Sequence, residues 1–92
     1  MQVSFTDALD GGRAVRTIGR IRAVGRWRAA DEPATDGDRR ALLTALAREA
    51  EEYGADALVE VRFEADEIAE ADGVRLRRLV ASGSAVSASL AA

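Results

Sequence analysis

At Gly54 the hydrophobic period of the chain changes, and that change restricts the fold more than any other feature of the 92 residues. Before it, in DGDRRALLTALAREAEEY, Leu42, Leu46, Ala50 and Tyr53 recur at the spacing of one helical face, with Leu43 and Ala47 widening the stripe. Arginines and glutamates occupy the other positions, so the spacing predicts an amphipathic helix with one buried side. Thr35, Asp36 and Asp38 offer oxygens to the free N–H groups of its first turn. Gly54 stands where a left-handed residue ends a helix without a Cβ clash. After it the period is two: Ala57, Val59, Val61, Phe63 and Ala65 alternate with Glu60, Arg62, Glu64 and Asp66. That is a half-buried strand, and a helix joined to it so tightly must pack across the sheet that contains it.

Two further strands are expected. Arg13 to Arg28 carries uncharged residues at odd positions and Arg16, Arg20, Arg22, Arg26 and Arg28 at even ones, broken by Ile18 and Val24. Gly19 and Gly25 within it mark a bulge, a bend or a close approach of backbone. The last strand starts near Val74, alternates with Arg75 and Arg77, then slips phase at Arg78-Leu79, where a β-bulge is expected. From Leu79 to Ala92 no residue is charged, so this strand is covered on both faces or is an edge open to pairing. Gln2–Thr6 can add a short strand before a turn at Asp10-Gly11-Gly12, and residues 67–73 form an acidic connection. The fold class is α+β, with the order β-α-β-β: a three-stranded antiparallel sheet, one helix on one face, and room for a short extra N-terminal strand.

The length allows one domain, residues 1–92, with a thin interior. Nearly half the residues are apolar, but alanine is the commonest of them and there are only two Phe, one Trp and one Tyr. A small core without disulfide or metal is commonly supplemented by oligomerisation. No Cys, His or Lys is present. Thiolate and imidazole catalysis, metal ligation by Cys or His and Schiff-base chemistry are therefore excluded, and no enzymatic role is expected. No signal peptide or membrane-spanning run is evident, so a soluble cytoplasmic protein is expected.

Charge is unevenly spread. Residues 1–30 hold six arginines and two acids, a net +4; residues 31–72 hold four arginines and fourteen acids, a net −10; residues 73–92 add +3. Arg16, Arg20, Arg22 and Trp27 are candidates for a small anionic ligand, flavin- or nucleotide-like, at subunit junctions. The alternative is that the arginines pair with Glu60, Glu64 and Asp66 across strands or between subunits. Nucleic acid is disfavoured by the acidic total and by a single Trp for stacking. Asp66, Glu67, Glu70 and Asp72 are candidates for a hard cation, though without calcium-loop spacing. A solvated acidic turn is the better reading of them.

The order TDALDGG, strand, helix, YGADALVEVRFE, VRLRRLVASGSAV resembles the YbjQ-like family of small bacterial proteins, described as heavy-metal-binding. Gly54-Ala55-Asp56-Ala57-Leu58-Val59 and Ala81-Ser82-Gly83-Ser84-Ala85-Val86 carry the resemblance most closely. It implies a dodecin-like subunit and a homo-oligomeric ring, typically a pentamer; separately, no resident cofactor is expected. Family members carry a longer segment between first strand and helix than the AADEPATDGD of this chain. The expected function is thus a non-enzymatic, self-assembling ring whose partner is itself. Ligand binding at its junctions is one alternative, and metal binding, opposed by the lack of His and Cys, is another.

Overall fold

A computed structural model describes residues 1–6, 15–69 and 72–88. Its elements are β1 (Gln2–Val3), β2 (Val15–Val24), β3 (Arg28–Ala29), α1 (Asp36–Glu52), β4 (Ala57–Ala69) and β5 (Arg75–Ala88). The expected turn at Asp10-Gly11-Gly12 lies outside the described residues, as does Glu70.

α1 forms as its sequence dictates. Thr35 is the N-cap: its hydroxyl accepts from the Asp38 N–H at 3.1 Å, and the Asp38 carboxylate accepts from the Thr35 N–H at 2.8 Å. This reciprocal box satisfies donors the first turn would otherwise leave free. At the other end Gly54 has φ +78°, the Ala55 N–H donates to Ala50 O and the Gly54 N–H to Glu51 O. The pair of bonds is a Schellman motif. Leu42, Leu46 and Ala50 are buried, with Leu43 and Ala47 packed beside them. Tyr53 departs from the expected stripe. It is the C-cap residue, at φ −88°, ψ 4°, and its side chain is exposed.

The sheet has five strands in the order β1-β4-β5-β2, with β3 pairing a different stretch of β5. Its three long strands are antiparallel as expected, but the sheet as a whole is mixed, because β1 runs parallel to β4. β2 and β4 each run antiparallel to β5, so they are parallel to each other with β5 inserted between them. α1 connects them across one face.

β5 is therefore central. Its uncharged stretch pairs with β2 on one side and β4 on the other, and Val80, Ala81, Ser84, Ala85 and Val86 are buried. No second copy is needed to explain its lack of charge.

Two details of register differ from the sequence reading, and the bulge in β2 falls beside Gly19, one of the outcomes expected there. β4 bulges where Val59 pairs with Ser84 and Arg62 with Ser82, so Glu60 and Val61 together oppose Gly83. Glu60 takes φ +53°, a left-handed conformation unfavourable for a residue with a Cβ. The extra residue reverses the alternation. Leu58, Val61 and Phe63 face the helix together, whereas Ala57 and Val59 turn to the other face and cluster with Val86. β2 bulges between Thr17 and Gly19, which absorbs Ile18. β5 has no shift at Arg78-Leu79; both pair in continuous register with Asp66 and Ala65. The expected strand over 13–28 also breaks after Val24. The Gly25 N–H donates to Leu79 O at 2.7 Å, and a Cβ at Gly25 would stand 3.2 Å from that oxygen. This is the close backbone approach that glycine permits.

The core lies between α1 and the helix-facing side of the sheet: Ile21, Leu42, Leu46, Ala50, Leu58, Val61, Ala81 and Ala85. On the Arg75 side of Leu79 the β4–β5 hairpin continues past the helix as an arm, flanked among the described residues by the two residues of β3. The long axis is 60 Å, and the radius of gyration is 15.6 Å. A compact chain of this length would have about 12 Å.

Candidate functional site

The arm and the helix leave a cleft between them. α1 starts above Leu79, while the sheet runs on underneath. The chain returns from β3 to the N-cap through the Pro33 loop, and this loop forms the third wall. The cleft has a volume of about 570 Å³. Its floor is Leu42, a member of the core, with Phe63 and Leu79 at the core's margin. Arg26, Arg28, Arg39, Arg77 and Arg78 line it, together with Glu32, Asp38 and Glu64.

Two of those arginines have fixed partners. Arg28 forks onto the Asp38 carboxylate, with Nη1 donating to Oδ2 at 2.9 Å and Nη2 to Oδ1, and so ties β3 to the first turn of α1. Arg78 Nε donates to Asp66 Oδ2 at 3.0 Å, and its guanidinium lies 4.6 Å from the centre of the Trp27 ring. Such stacking suits the flat, delocalised cation.

The Thr35 N–H, above all, and the Arg28 guanidinium hold the Asp38 carboxyl below its ordinary range, against a smaller opposing effect of desolvation. Asp38 therefore stays ionised as a cap and strut, not as a proton carrier. A carboxyl more acidic in the folded than in the unfolded chain stabilises the fold fully above its unfolded pKa, about 3.9. That contribution is lost as pH falls through the lower folded value. The chain should therefore melt higher than its Asp38→Asn variant at pH 7, and the gap should close below about pH 4. Parallel melting scans across pH check this; a gap independent of pH would contradict it.

The residues singled out from sequence fall elsewhere. Arg20 and Arg22 lie on the sheet face away from the helix. Arg20 Nη1 is 3.3 Å from Glu60 Oε2 and 3.2 Å from Ser84 Oγ, and Arg22 Nη2 is 3.8 Å from Asp66 Oδ2. Glu60 and Asp66 are two of the three partners that the pairing alternative names. Arg16 pairs in register with Ser87, on the far side of the Ile18 bulge, and by alternation does not share the face of Arg20 and Arg22. Trp27 joins Arg22 only through Arg78 and Asp66.

Of the candidate cation ligands, Asp66 is engaged by two arginines, and Glu67, next in the strand, points to the opposite face. Asp72 Oδ1 accepts from the Val74 N–H at 3.1 Å, which closes the turn before β5. No cluster of three or more possible metal-ligating side chains occurs among the described residues.

Sequence reasoning missed the cleft. The available signals were the Arg77-Arg78 pair and the Pro33 loop before the helix, but neither shows that the helix stops short of the hairpin's end.

A single helix lying across a sheet in which a hairpin strand separates two parallel strands defines an α+β subunit of the split β-α-β kind. The family model for YbjQ-like proteins, described as "Putative heavy-metal-binding", matches residues 19–89, and the chain belongs to that family. Among solved structures it is similar to a protein with unknown function of the DUF74 family from Pediococcus pentosaceus ATCC 25745. The TM-score is 0.67 at 7% identity, over 97% of this chain and 98% of that one, a likeness of fold. No curated protein matches the sequence.

The donor set does not fit a heavy metal. Soft ions take thiolate, thioether or imidazole ligands, and this chain offers the thioether of Met1 alone. No helix among the described residues is long and apolar enough to cross a membrane.

Proposed function

We propose that this chain is a non-enzymatic subunit that assembles with copies of itself into a closed ring, five-fold as the family resemblance implies. The observation that carries the reading is a set of exposed apolar side chains on the helix-free side of the sheet and on the arm, standing on either side of the Arg78–Asp66 pair. Val24 and Val80 pair there, as do Ile68 and Leu76. Val24, Ile68, Val74 and Trp27 are all exposed, at 37–48%. A hairpin projecting without a helix over it is marginal by itself. A second copy laid on that face would bury those side chains.

The sheet edges support the same reading. The ten residues of β2 pair with β5 on one side and with no described strand on the other. β1 pairs with only the first two residues of β4. Unlike edges at the two ends of a sheet favour head-to-tail contacts, which close into rings when the rotation permits.

Sizing with light scattering on the full chain should give one species heavier than a single chain. The Val24→Lys/Ile68→Lys variant should elute at the mass of one chain while keeping the parent's far-UV circular dichroism, because lysine at a half-exposed site can reach water. A parent that stays monomeric at micromolar concentration sinks the proposal. So does a double variant that assembles like the parent.

A further inference from the structure

We propose that the cleft between the first turns of α1 and the Phe63–Ala65 and Arg77–Leu79 segments binds a small amphipathic anion: a carboxylate, sulfonate or phosphate on an apolar body. The site is formed within one chain and does not rest on the ring.

Size comes first. A volume of about 570 Å³ lies inside the range of roughly 300–1,000 Å³ typical of small-molecule sites. Shape and polarity come next. Phe63, Leu42 and Leu79 make an apolar floor, and Ala34, Ala41 and Ala65 keep the walls low enough to admit a ring or a short alkyl chain. An aromatic side chain at such a floor offers a flat surface to the body of a ligand.

Charge decides the sign. Arg26, Arg28, Arg39 and Arg77 stand against Glu32 and Asp38 around the cleft, a net +2 in a chain whose total is −3, while Arg78 and Glu64 line it at strand positions whose side chains turn to the helix-free face. Two of the acid–base partnerships are fixed: Asp38 is held by Arg28, and Arg78 is held by Asp66. Arg39 reaches only Asp36, at 3.4 Å on the open surface. Arg26 and Arg77 make no ion pair among the described residues. Two uncommitted guanidinium forks beside an apolar floor match a planar or tetrahedral oxyanion with an apolar tail. A cation would meet a net positive rim.

The test uses two dyes of similar body and different charge, 8-anilinonaphthalene-1-sulfonate and neutral N-phenyl-1-naphthylamine, titrated into the full chain. The expected result is saturable binding of the sulfonate, one per chain, displaced by octanoate but not by octanol. In Arg26→Gln/Arg77→Gln, both changes being at exposed positions, sulfonate affinity should fall about tenfold or more, as loss of charged hydrogen bonds implies. Binding of the neutral dye should be unchanged. Ala65→Trp, which fills the cleft, should abolish both.

Equal binding of the two dyes, or a double variant that binds the sulfonate like the parent, overturns the proposal. So does sulfonate binding that survives Ala65→Trp. Sizing the same samples separates this from the assembly reading. If the assembled protein excludes the dye and only dissociated chains take it, the cleft is a contact between copies and the anion site is wrong while the ring stands. If the parent is a single chain at every concentration tested and binds the dye, the ring is wrong and the site stands.

Discussion

Leu46→Ala should destabilise this chain by about 3–4 kcal/mol, within the 2–5 observed for emptying buried leucine sites. Leu46 is fully buried and is one of the largest side chains so enclosed. It stands midway along the buried face of α1 and packs with Ile21, Leu42, Leu58, Val61 and three buried alanines of the helix and β5. Those alanines, Ala50, Ala81 and Ala85, set the size of the effect. A larger neighbour can swing a rotamer into a hole, but an alanine has no side-chain torsion with which to do so. The cavity should therefore stay open, and its cost adds to the lost transfer energy. A chain of this length has about 5–14 kcal/mol of stability in total. At about 4–8 °C per kcal/mol, the melting temperature should fall by roughly 12–30 °C. Leu43→Ala, at the half-buried margin of the same helix, serves as the control and should shift melting far less. A drop of only a few degrees for Leu46→Ala would mean that the helix is not seated on the sheet as described.

The helix was legible because each of its signals is local. Thr35 and Asp38 cap it, Gly54 ends it, and the stripe Leu42, Leu46, Ala50 faces the core. The strands were legible as strands but not in phase. Alternation assigns a side chain to a face only while the register is unbroken, and here it breaks twice, in β2 beside Gly19, which signalled it, and in β4 where no residue does. A bulge residue with positive φ is expected to be glycine, yet β4 uses Glu60 there. Ile18 itself reads as an interruption of the arginine face and not as an inserted residue. Conversely, the apparent slip at Arg78-Leu79 is not a bulge; there the strand leaves the cover of the helix, so its side chains change character while the register continues.

The charge pairs were legible in kind, because Glu60 and Asp66 lie on strands that had to be near the arginines. The cleft was not, because five separate segments build it. Its existence depends on where the helix starts relative to the hairpin, a distance that no local pattern encodes.

Gly83 is the residue on β5 opposite the bulge, and replacing it by leucine should destabilise the fold by about 3 kcal/mol, near the upper end of ordinary overpacking. A glycine inside a strand normally weakens it, so a larger residue there ought to help. The surroundings reverse that expectation. A Cβ at Gly83 would stand 3.3 Å from Val59 O, 3.3 Å from Val61 Cγ2 and 3.7 Å from Leu46 Cδ2. The first of these is backbone, held by the sheet, and it leans toward β5 because the bulge bends β4. Alanine would require a shift of a few tenths of an ångström; leucine adds three more heavy atoms where the helix and the bulged strand already meet. Gly19 is the matched control, since nothing lies within 4 Å of the same construction there and its φ is not in the positive region. Gly19→Ala should be neutral or stabilising by about 0.5 kcal/mol, through the unfolded chain alone. Urea midpoints should therefore fall in the order Gly19→Ala, parent, Gly83→Ala, Gly83→Leu. A Gly83→Leu protein that unfolds with the parent would show that α1 and the bulge do not close on β5. In that case the alternation of β4 would run unbroken, with Val59 and Val61 on one face.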